Sequence, residues 1–149
     1  MIHPVTVAIL VAAGAALVLQ NLLMVRITSA VSSATVALLV NSGIGFALLL
    51  ALVLARQGWS GLADAAGGLR PWAIVPGLLG SFFVYAGLLG YQRIGAAATI
   101  SILVASQLIV GLAADAVTSR TGGTPVTVSS LFGAGLLFAG AVLITQARA

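Results

Sequence analysis

Cysteine and lysine are absent from this sequence, and charged residues of either sign are scarce. The lack of cysteine excludes disulfide bonds and thiolate metal sites. Two acidic residues and one histidine, His3, are too few for an ordinary metal centre or a Ser-His-Asp triad, so we expect no enzyme, no metal and no cofactor. Charged residues make up only 5% of the chain, whereas a soluble domain carries about a quarter. Water therefore cannot be the solvent for most of the surface.

The six positive charges are all arginines, and they are spread singly along the chain. A nucleic-acid-binding surface needs its arginines or lysines clustered on one face, so we expect no nucleic-acid partner. The remainder is strongly apolar, since 61% of the residues are hydrophobic and the mean hydropathy is +1.24. This composition indicates that lipid surrounds most of the protein.

Apolar runs of about 20 residues, the length that crosses the hydrocarbon core as a helix, follow one another along the chain. They predict an all-α, polytopic membrane helix bundle with about five transmembrane helices. We expect one transmembrane domain over residues 1–149, in the cytoplasmic (inner) membrane. The predicted helices are Pro4 to Val25, Ala34 to Ala55, Trp72 to Tyr91, Gly95 to Ala114 and Val126 to Thr145. Polar joints are predicted at Thr28 to Ser33, Gln57 to Arg70 and Thr118 to Pro125.

Two of these spans have alternative interpretations. The first run begins at Pro4 with no basic segment before it and with further spans behind it, which favours a retained helix over a cleaved signal. The joint at Arg93 is so short that a re-entrant hairpin is the alternative to two full spans. Trp59, Trp72 and Tyr91 fall at predicted helix ends, where aromatic rings favour the headgroup layer.

The arginines are balanced across the membrane when five spans are assumed. If the N-terminus lies on side one, each side of the membrane receives three arginines. Because Lys and Arg in short loops set orientation, the balance predicts insertion in both orientations, or dual topology. Two opposite copies then form an antiparallel homodimer, which supplies the inverted repeat of many secondary transporters. The alternative is that the terminal amine or the aspartates fix one orientation. Side one holds Arg56, Arg70 and Arg120, and side two holds Arg26, Arg93 and Arg148.

Amide and hydroxyl side chains occur inside the predicted spans, where each must find a hydrogen-bonding partner. In an antiparallel pair they would meet near the midplane, and we predict that they line a solute-binding cavity. For any single residue, hydrogen bonding that only fixes helix packing is the alternative. The predicted lining residues are Gln20, Asn21, Asn41, Ser42, Ser81, Tyr85, Thr99, Ser106 and Gln107.

No charged residue lies in the interior of a predicted span. Proton-coupled export of cations normally uses a buried carboxylate, so this lack favours a neutral, zwitterionic or amphipathic solute. Asp115, at the end of the fourth span, is the nearest candidate for ion coupling. The alternative for Asp115 is an interfacial charge close to Arg120.

Glycines recur at helical spacing in two spans. Gly80 and Gly87 lie seven residues apart in the third span, and Gly133, Gly135 and Gly140 form a similar set in the fifth. Small residues let helices approach closely in lipid. We therefore predict packing faces on both helices, with a dimer seam on the fifth.

Short motifs follow one another along the chain: Asn41-Ser42-Gly43-Ile44-Gly45, Ser81-Phe82-Phe83-Val84, Ile94-Gly95-Ala96-Ala97, Ser106-Gln107-Leu108 and Leu131-Phe132-Gly133. In order and spacing, over nearly the whole chain, they resemble the short five-helix YdcZ-like family of the drug/metabolite transporter superfamily. The resemblance implies a relative of small multidrug transporters and of one half of the EamA-type carriers, assembled as antiparallel pairs. Those multidrug transporters carry an essential Glu in their first helix, where this chain has Ala13, Gly14 and Ala15. Their proton-antiport mechanism is therefore not implied.

Three hypotheses about function follow. The first is a transporter that moves a small solute through the midplane cavity of an antiparallel homodimer, by alternating access. The second is a passive channel or lipid flippase on the same dimer, and the third is an accessory membrane subunit without a pathway. The expected partners are a second copy of the chain or an oppositely oriented homologue, membrane lipid and the solute.

Overall fold

The computed structural model describes residues 4–118 and 126–146, and nearly all of them are helical. Five helices follow in order, and each is long and apolar enough to cross a membrane when the 3-10 turn Pro71–Ala73 is counted with the third. The predicted all-α class and the five spans are confirmed. His3, Arg120, Arg148 and most of the joint predicted over 118–125 lie outside the described residues. The helices are α1 (Pro4–Val31), α2 (Ala34–Gly68), α3 (Ile74–Arg93), α4 (Ala96–Thr118) and α5 (Val128–Gln146).

The predicted end of the first helix at Val25 is wrong, because α1 continues through Arg26 to Val31. The hydroxyls of Thr28 and Ser29 donate to the carbonyls of Met24 and Val25, at 2.9 and 3.1 Å. Their polar groups are thus satisfied within the helix, and the polar stretch need not form a loop.

The chain turns between α1 and α2 within two residues. Ser32 takes the left-handed conformation (φ 53) that commonly terminates a helix. Ser33 then caps α2 by accepting a hydrogen bond from the backbone N–H of Val36 at 3.3 Å. The predicted polar joint from Thr28 to Ser33 is therefore reduced to these two serines.

The loop predicted over Gln57 to Arg70 is also largely wrong. α2 continues helically to Gly68, with a break at Gly58, where φ is 63 and ψ is −155. Positive φ with ψ near 180° is essentially restricted to glycine, so Gly58 ends the first helical part and a second part follows over residues 59–68.

The joint between α3 and α4 is a tight glycine turn rather than a loop. The Ile94 N–H donates to the Gly90 carbonyl at 2.9 Å, and Gly95 adopts a left-handed φ of 81. The helices on either side are both of spanning length, which favours two full spans over the re-entrant hairpin. α5 begins two residues later than the predicted Val126, because Thr127 caps it through a 3.3 Å bond from the Ser130 N–H.

The chain divides into two compact units, Met1–Leu89 and Gly90–Ala149. In the first, a small core of Met24, Ala37 and Leu88 joins α1, α2 and α3. In the second, α4 packs against α5, with Ala105 and Ala141 buried. Large apolar side chains such as Phe82, which is 70% exposed, cover the outside of both units, as expected where lipid is the solvent.

Candidate functional site

An amide pair joins α1 to α2 inside the apolar spans. The Gln20 side-chain N–H donates to the Asn41 side-chain carbonyl, with Nε2 and Oδ1 3.0 Å apart, and both residues are half-buried. At 1.5 Å per residue, Gln20 lies about 4 Å from the middle of α1, and Asn41 about 7 Å from the middle of residues 34–57. The structure thus brings two of the predicted lining residues together at membrane depth.

The amide pair has hydrogen-bonding groups that no described residue engages. Within the described residues, no other hydrogen bond engages Gln20 or Asn41, so the Gln20 carbonyl and the Asn41 amino group are both available. In hydrocarbon an unused donor or acceptor costs several kcal/mol. A polar occupant beside the pair, such as a solute, water or a side chain from another copy, would therefore be stabilised there.

The neighbouring residues Asn21 and Ser42 are arranged differently. Asn21 is buried, and its side-chain N–H donates to the Leu17 carbonyl of its own helix at 2.9 Å. Ser42 is exposed beside Asn41 on α2. The Asn21 amide is thus hydrogen-bonded to the backbone of its own helix. Ser42 adds an exposed hydroxyl at the position next to Asn41.

Ser81 and Tyr85 lie one turn apart on α3, and both side chains are exposed. Within the first unit, no described hydrogen bond links either one to the Gln20–Asn41 pair. They form a separate polar spot on an otherwise apolar helix surface, and their part in solute binding stays a prediction.

In the second unit, Thr99 occupies a packing position. It is 4% exposed, and its hydroxyl donates to the Gly95 carbonyl at 2.7 Å. Its side chain lies directly against Gly90, where an added Cβ would come within 2.5 Å of Thr99 Cγ2. In this unit the contact between Thr99 and Gly90 therefore packs the start of α4 against the last turn of α3.

Ser106 and Gln107 present a polar spot on the exposed side of α4. The Ser106 hydroxyl donates to the Leu103 carbonyl at 2.8 Å, and Gln107 is exposed. Both line a shallow hollow together with Val110, Gly111 and Ala114. The small residues around Gln107 leave its amide accessible from outside the unit.

Two apolar grooves flank the contact between α4 and α5, with volumes of about 220 and 270 Å³. Ala105 and Ala141 border both grooves, so this small-residue contact separates them. Ser106 lies at one groove, and Gly140 at the other. The grooves are suited to apolar chains rather than to polar solutes.

The predicted packing glycines fall into two groups. Gly87 is buried within its own chain. Gly80, Gly133, Gly135 and Gly140 have open space where a Cβ would stand. Among the described residues of the second unit, the glycines of α5 thus have no close neighbour at the Cβ position, as a seam for another helix requires.

Asp115 is exposed in the last turn of α4, which runs to Thr118 rather than ending at the predicted Ala114. A negative charge near a helix C-terminus is unfavourable with the helix dipole, so this position needs a solvated or paired carboxylate. Its predicted neighbour Arg120 lies outside the described residues. Among residues 4–118 and 126–146, no group of three His, Cys, Asp or Glu is placed to hold a metal.

Sequence reasoning missed the two glycines that shape the end of α2. Gly58 needs its positive φ, and Gly61 is buried where a Cβ would lie 2.8 Å from Gln57 Cβ and 3.1 Å from Val53 Cγ1. The available signal was the helical spacing of Trp59, Leu62 and Ala66 after Gly58, which favours a second helical part over a loop.

Comparison with known proteins supplies the family. Residues 5–143 match a family model described as "Putative inner membrane exporter, YdcZ". The chain is 45% identical over 148 residues to the "Inner membrane protein YdcZ" of Escherichia coli (strain K12), with 98% of each chain covered. No solved structure matches the chain.

A match over almost the whole length, together with five membrane-crossing helices, places this protein in the inner membrane as a multi-pass protein. Export is a transport role, and neither match indicates a catalytic activity. The chain belongs to the YdcZ family of inner-membrane exporters within the drug/metabolite transporter superfamily.

Proposed function

We propose that the chain works as an antiparallel homodimer that exports a small neutral, zwitterionic or amphipathic solute. The solute would bind in a midplane cavity lined by polar residues of both copies. The observation that carries the proposal is the Gln20–Asn41 pair, a hydrogen-bonded amide pair within the apolar spans of α1 and α2 that still has a free acceptor and a free donor.

The unused groups of the pair suit a solute that both accepts and donates hydrogen bonds. The Asn41 amino group would donate to it, and the Gln20 carbonyl would accept from it. The described cationic residues are Arg26, Arg56, Arg70 and Arg93. Each lies at an edge of an apolar stretch or, for Arg70, between α2 and α3. A site of amides favours uncharged or charge-balanced solutes, since a buried net charge would lack a counter-ion.

The free surfaces of the second unit support the pairing of two copies. Gln107 and the small residues around it face outward from α4, and Gly133 and Gly140 leave a smooth face on α5. An amide facing lipid is costly, whereas an amide facing a second copy or a wet cavity is not. Pairing would turn both surfaces inward.

The proposed transport is tested with the purified chain in proteoliposomes and a panel of labelled small zwitterionic and amphipathic solutes. For a solute that is transported, Asn41→Leu should reduce flux about fivefold for each hydrogen bond lost, because each bond contributes about 1 kcal/mol. Gln92→Leu removes an exposed amide at the end of α3 and serves as the matched control. Equal flux through both variants would refute the role of the pair.

The form of the flux separates the remaining hypotheses. Saturable flux with counterflow is expected for alternating access. Fast flux that does not saturate would indicate a channel, and movement of phospholipid alone would indicate a flippase. An accessory subunit would show no flux, and Asn41→Leu would leave its folding unchanged or better.

The antiparallel arrangement is tested by cysteine crosslinking. The sequence has no cysteine of its own, so only the introduced cysteines can react. Ser129 and Ile144 lie on the Gly133–Gly140 face, at equal distances along α5 from the middle of that face. In an antiparallel pair crossing at that middle, Ser129→Cys in one copy should crosslink to Ile144→Cys in the other. Each variant alone should give no crosslink. Crosslinking of each variant with itself would instead indicate a parallel pair.

A further inference from the structure

The second helical part of α2, residues 59–68, is called here the surface segment. We propose that it lies flat in the headgroup layer of the membrane and anchors the chain to anionic phospholipid. The proposal is independent of the solute and of the dimer. It starts from the length of α2, since 35 residues of continuous helix would extend about 52 Å, far beyond a hydrocarbon core of about 30 Å.

The break at Gly58 comes where the crossing is complete. Residues 34–57 extend about 36 Å, which is already sufficient to span the core. Arg56 stands next to this end, where a charged residue leaves the apolar layer. The surface segment is therefore not needed to cross the membrane, and it begins at the membrane surface.

The contacts of Gly61 show that the surface segment turns away from the axis of α2. In a straight helix, residues 53 and 61 would be about 12 Å apart along the axis. Yet a Cβ on Gly61 would lie 3.1 Å from Val53 Cγ1. The surface segment therefore crosses the side of α2 instead of continuing it into water.

The two sides of the surface segment differ in polarity. At about 100° per residue, Trp59, Ala63 and Ala66 share one side, while Asp64 and Gly68 lie opposite them. Gly61, which touches α2, lies on the same side as Gly68, within about 20° of it. With Gly61 against α2, Asp64 lies on one flank of the surface segment and Leu62 and Ala66 lie on the other. The flank with Leu62 and Ala66 faces the acyl chains, and Asp64 faces water.

The residues that flank the surface segment match a headgroup layer. Trp59 is 79% exposed and Trp72 is 67% exposed, although both are large aromatic residues. Arg56 precedes the surface segment and Arg70 follows it, against the single carboxylate of Asp64. Indole rings favour the interface, and guanidinium groups pair with lipid phosphates, so the occupant of this surface is anionic phospholipid. α2 and α3 enter the membrane at its two ends and hold it at that face.

The depth of the surface segment is tested by fluorescence of the full chain in phosphatidylcholine–phosphatidylglycerol vesicles. Trp72→Phe leaves Trp59 as the only tryptophan. Lipids brominated near the headgroup end of the acyl chain should quench Trp59 more strongly than lipids brominated near the tail. In a chain carrying Trp59→Phe, Trp72→Phe and Phe46→Trp, a tryptophan in the middle of α2 should show the opposite order. Quenching of Trp59 by aqueous acrylamide alone would overturn the proposal, and so would quenching by neither reagent, as expected if another copy covers it.

The preference for anionic lipid is tested with the same tryptophan. Brominated phosphatidylglycerol should quench Trp59 more than brominated phosphatidylcholine at equal mole fraction, through local enrichment of up to about fivefold per arginine. Arg56→Gln with Arg70→Gln should abolish the difference. Arg26→Gln with Arg93→Gln, which removes two arginines elsewhere, should keep it. Equal quenching by the two lipids in the unmodified arginine background would overturn the anionic preference.

Discussion

Two glycines of α2 meet requirements that other residue types cannot meet at the same positions. Gly58 supplies a backbone conformation at φ 63 and ψ −155, and Gly61 supplies space against Gln57 and Val53. The first requirement is conformational and the second is steric. Together they let a helix of spanning length end in a turn of a single residue.

Gly58→Ala should lower the free energy of unfolding by about 1–3 kcal/mol, because alanine at this backbone conformation is strained. Gly67→Ala is the matched control, since Gly67 lies in the same helix with open space around it. The control should be neutral or stabilising by about 0.5 kcal/mol, as glycine is a poor helix former. Unfolding in mixed micelles measures both variants. Equal stabilities would mean that the backbone at position 58 is not held in this conformation.

At the scale of elements, the α3–α4 joint is closely packed. Gly90, in the last turn of α3, lies against the side chain of Thr99 in α4, and Gly95 makes the turn between the two helices. Thr99 is β-branched and therefore has little rotamer freedom to move away. The joint thus holds the start of α4 against residues 90–93 of the same unit.

Gly90→Ala should lower the free energy of unfolding by about 1–3 kcal/mol through overpacking. The new Cβ would stand 2.5 Å from Thr99 Cγ2 and 2.7 Å from its hydroxyl oxygen. Thr99→Ala in the same chain removes both atoms and should restore most of the loss. Gly111→Ala on α4, where nothing lies within 4 Å, is the control. If Gly90→Ala proves as stable as this control, the close contact does not exist.

At the scale of the whole molecule, the arginine balance is the feature on which the proposed dual topology rests. If the chain crosses five times, each side of the membrane receives three arginines, and we expect insertion in both orientations. The described arginines Arg26, Arg56, Arg70 and Arg93 are exposed and free to act as orientation signals.

One added lysine should therefore shift the orientation, in opposite directions on the two sides. Gln92→Lys adds a charge to side two and should place the C-terminus in the cytoplasm, while Gln57→Lys adds one to side one and should place it outside. Both glutamines are exposed. C-terminal fusions to a cytoplasm-active fluorescent reporter and an externally active phosphatase measure the distribution. The unmodified chain should give signal with both reporters, and a single signal that neither lysine changes would exclude dual topology.

The sequence predicted the five spans well because length and hydropathy are local properties. It placed helix ends less well, because Thr28 and Ser29 look like loop residues until their hydroxyls are seen to bond to Met24 and Val25. A polar side chain that can reach its own helix does not end it. Arg26 likewise marks the edge of the apolar region rather than the end of a helix.

The candidate site was predictable by residue type but not by geometry. Gln20 and Asn41 stand out as amides in apolar runs, yet their contact depends on the register between α1 and α2, which no local pattern encodes. Thr99 has equally polar character in the sequence, but it lies buried against Gly90. Composition identifies which groups need partners, and only packing decides which partners they find.

The joints on side two are both very short: Ser32 and Ser33 link α1 to α2, and Ile94 and Gly95 link α3 to α4. An antibody or protease acting from that side would therefore have little to bind there except two tight turns. An epitope tag inserted at either joint would have to unwind a helix end, whereas the exposed stretch from Gly67 to Arg70 on side one accepts extra residues more readily. Tools that report on this protein from outside the bilayer are best attached there.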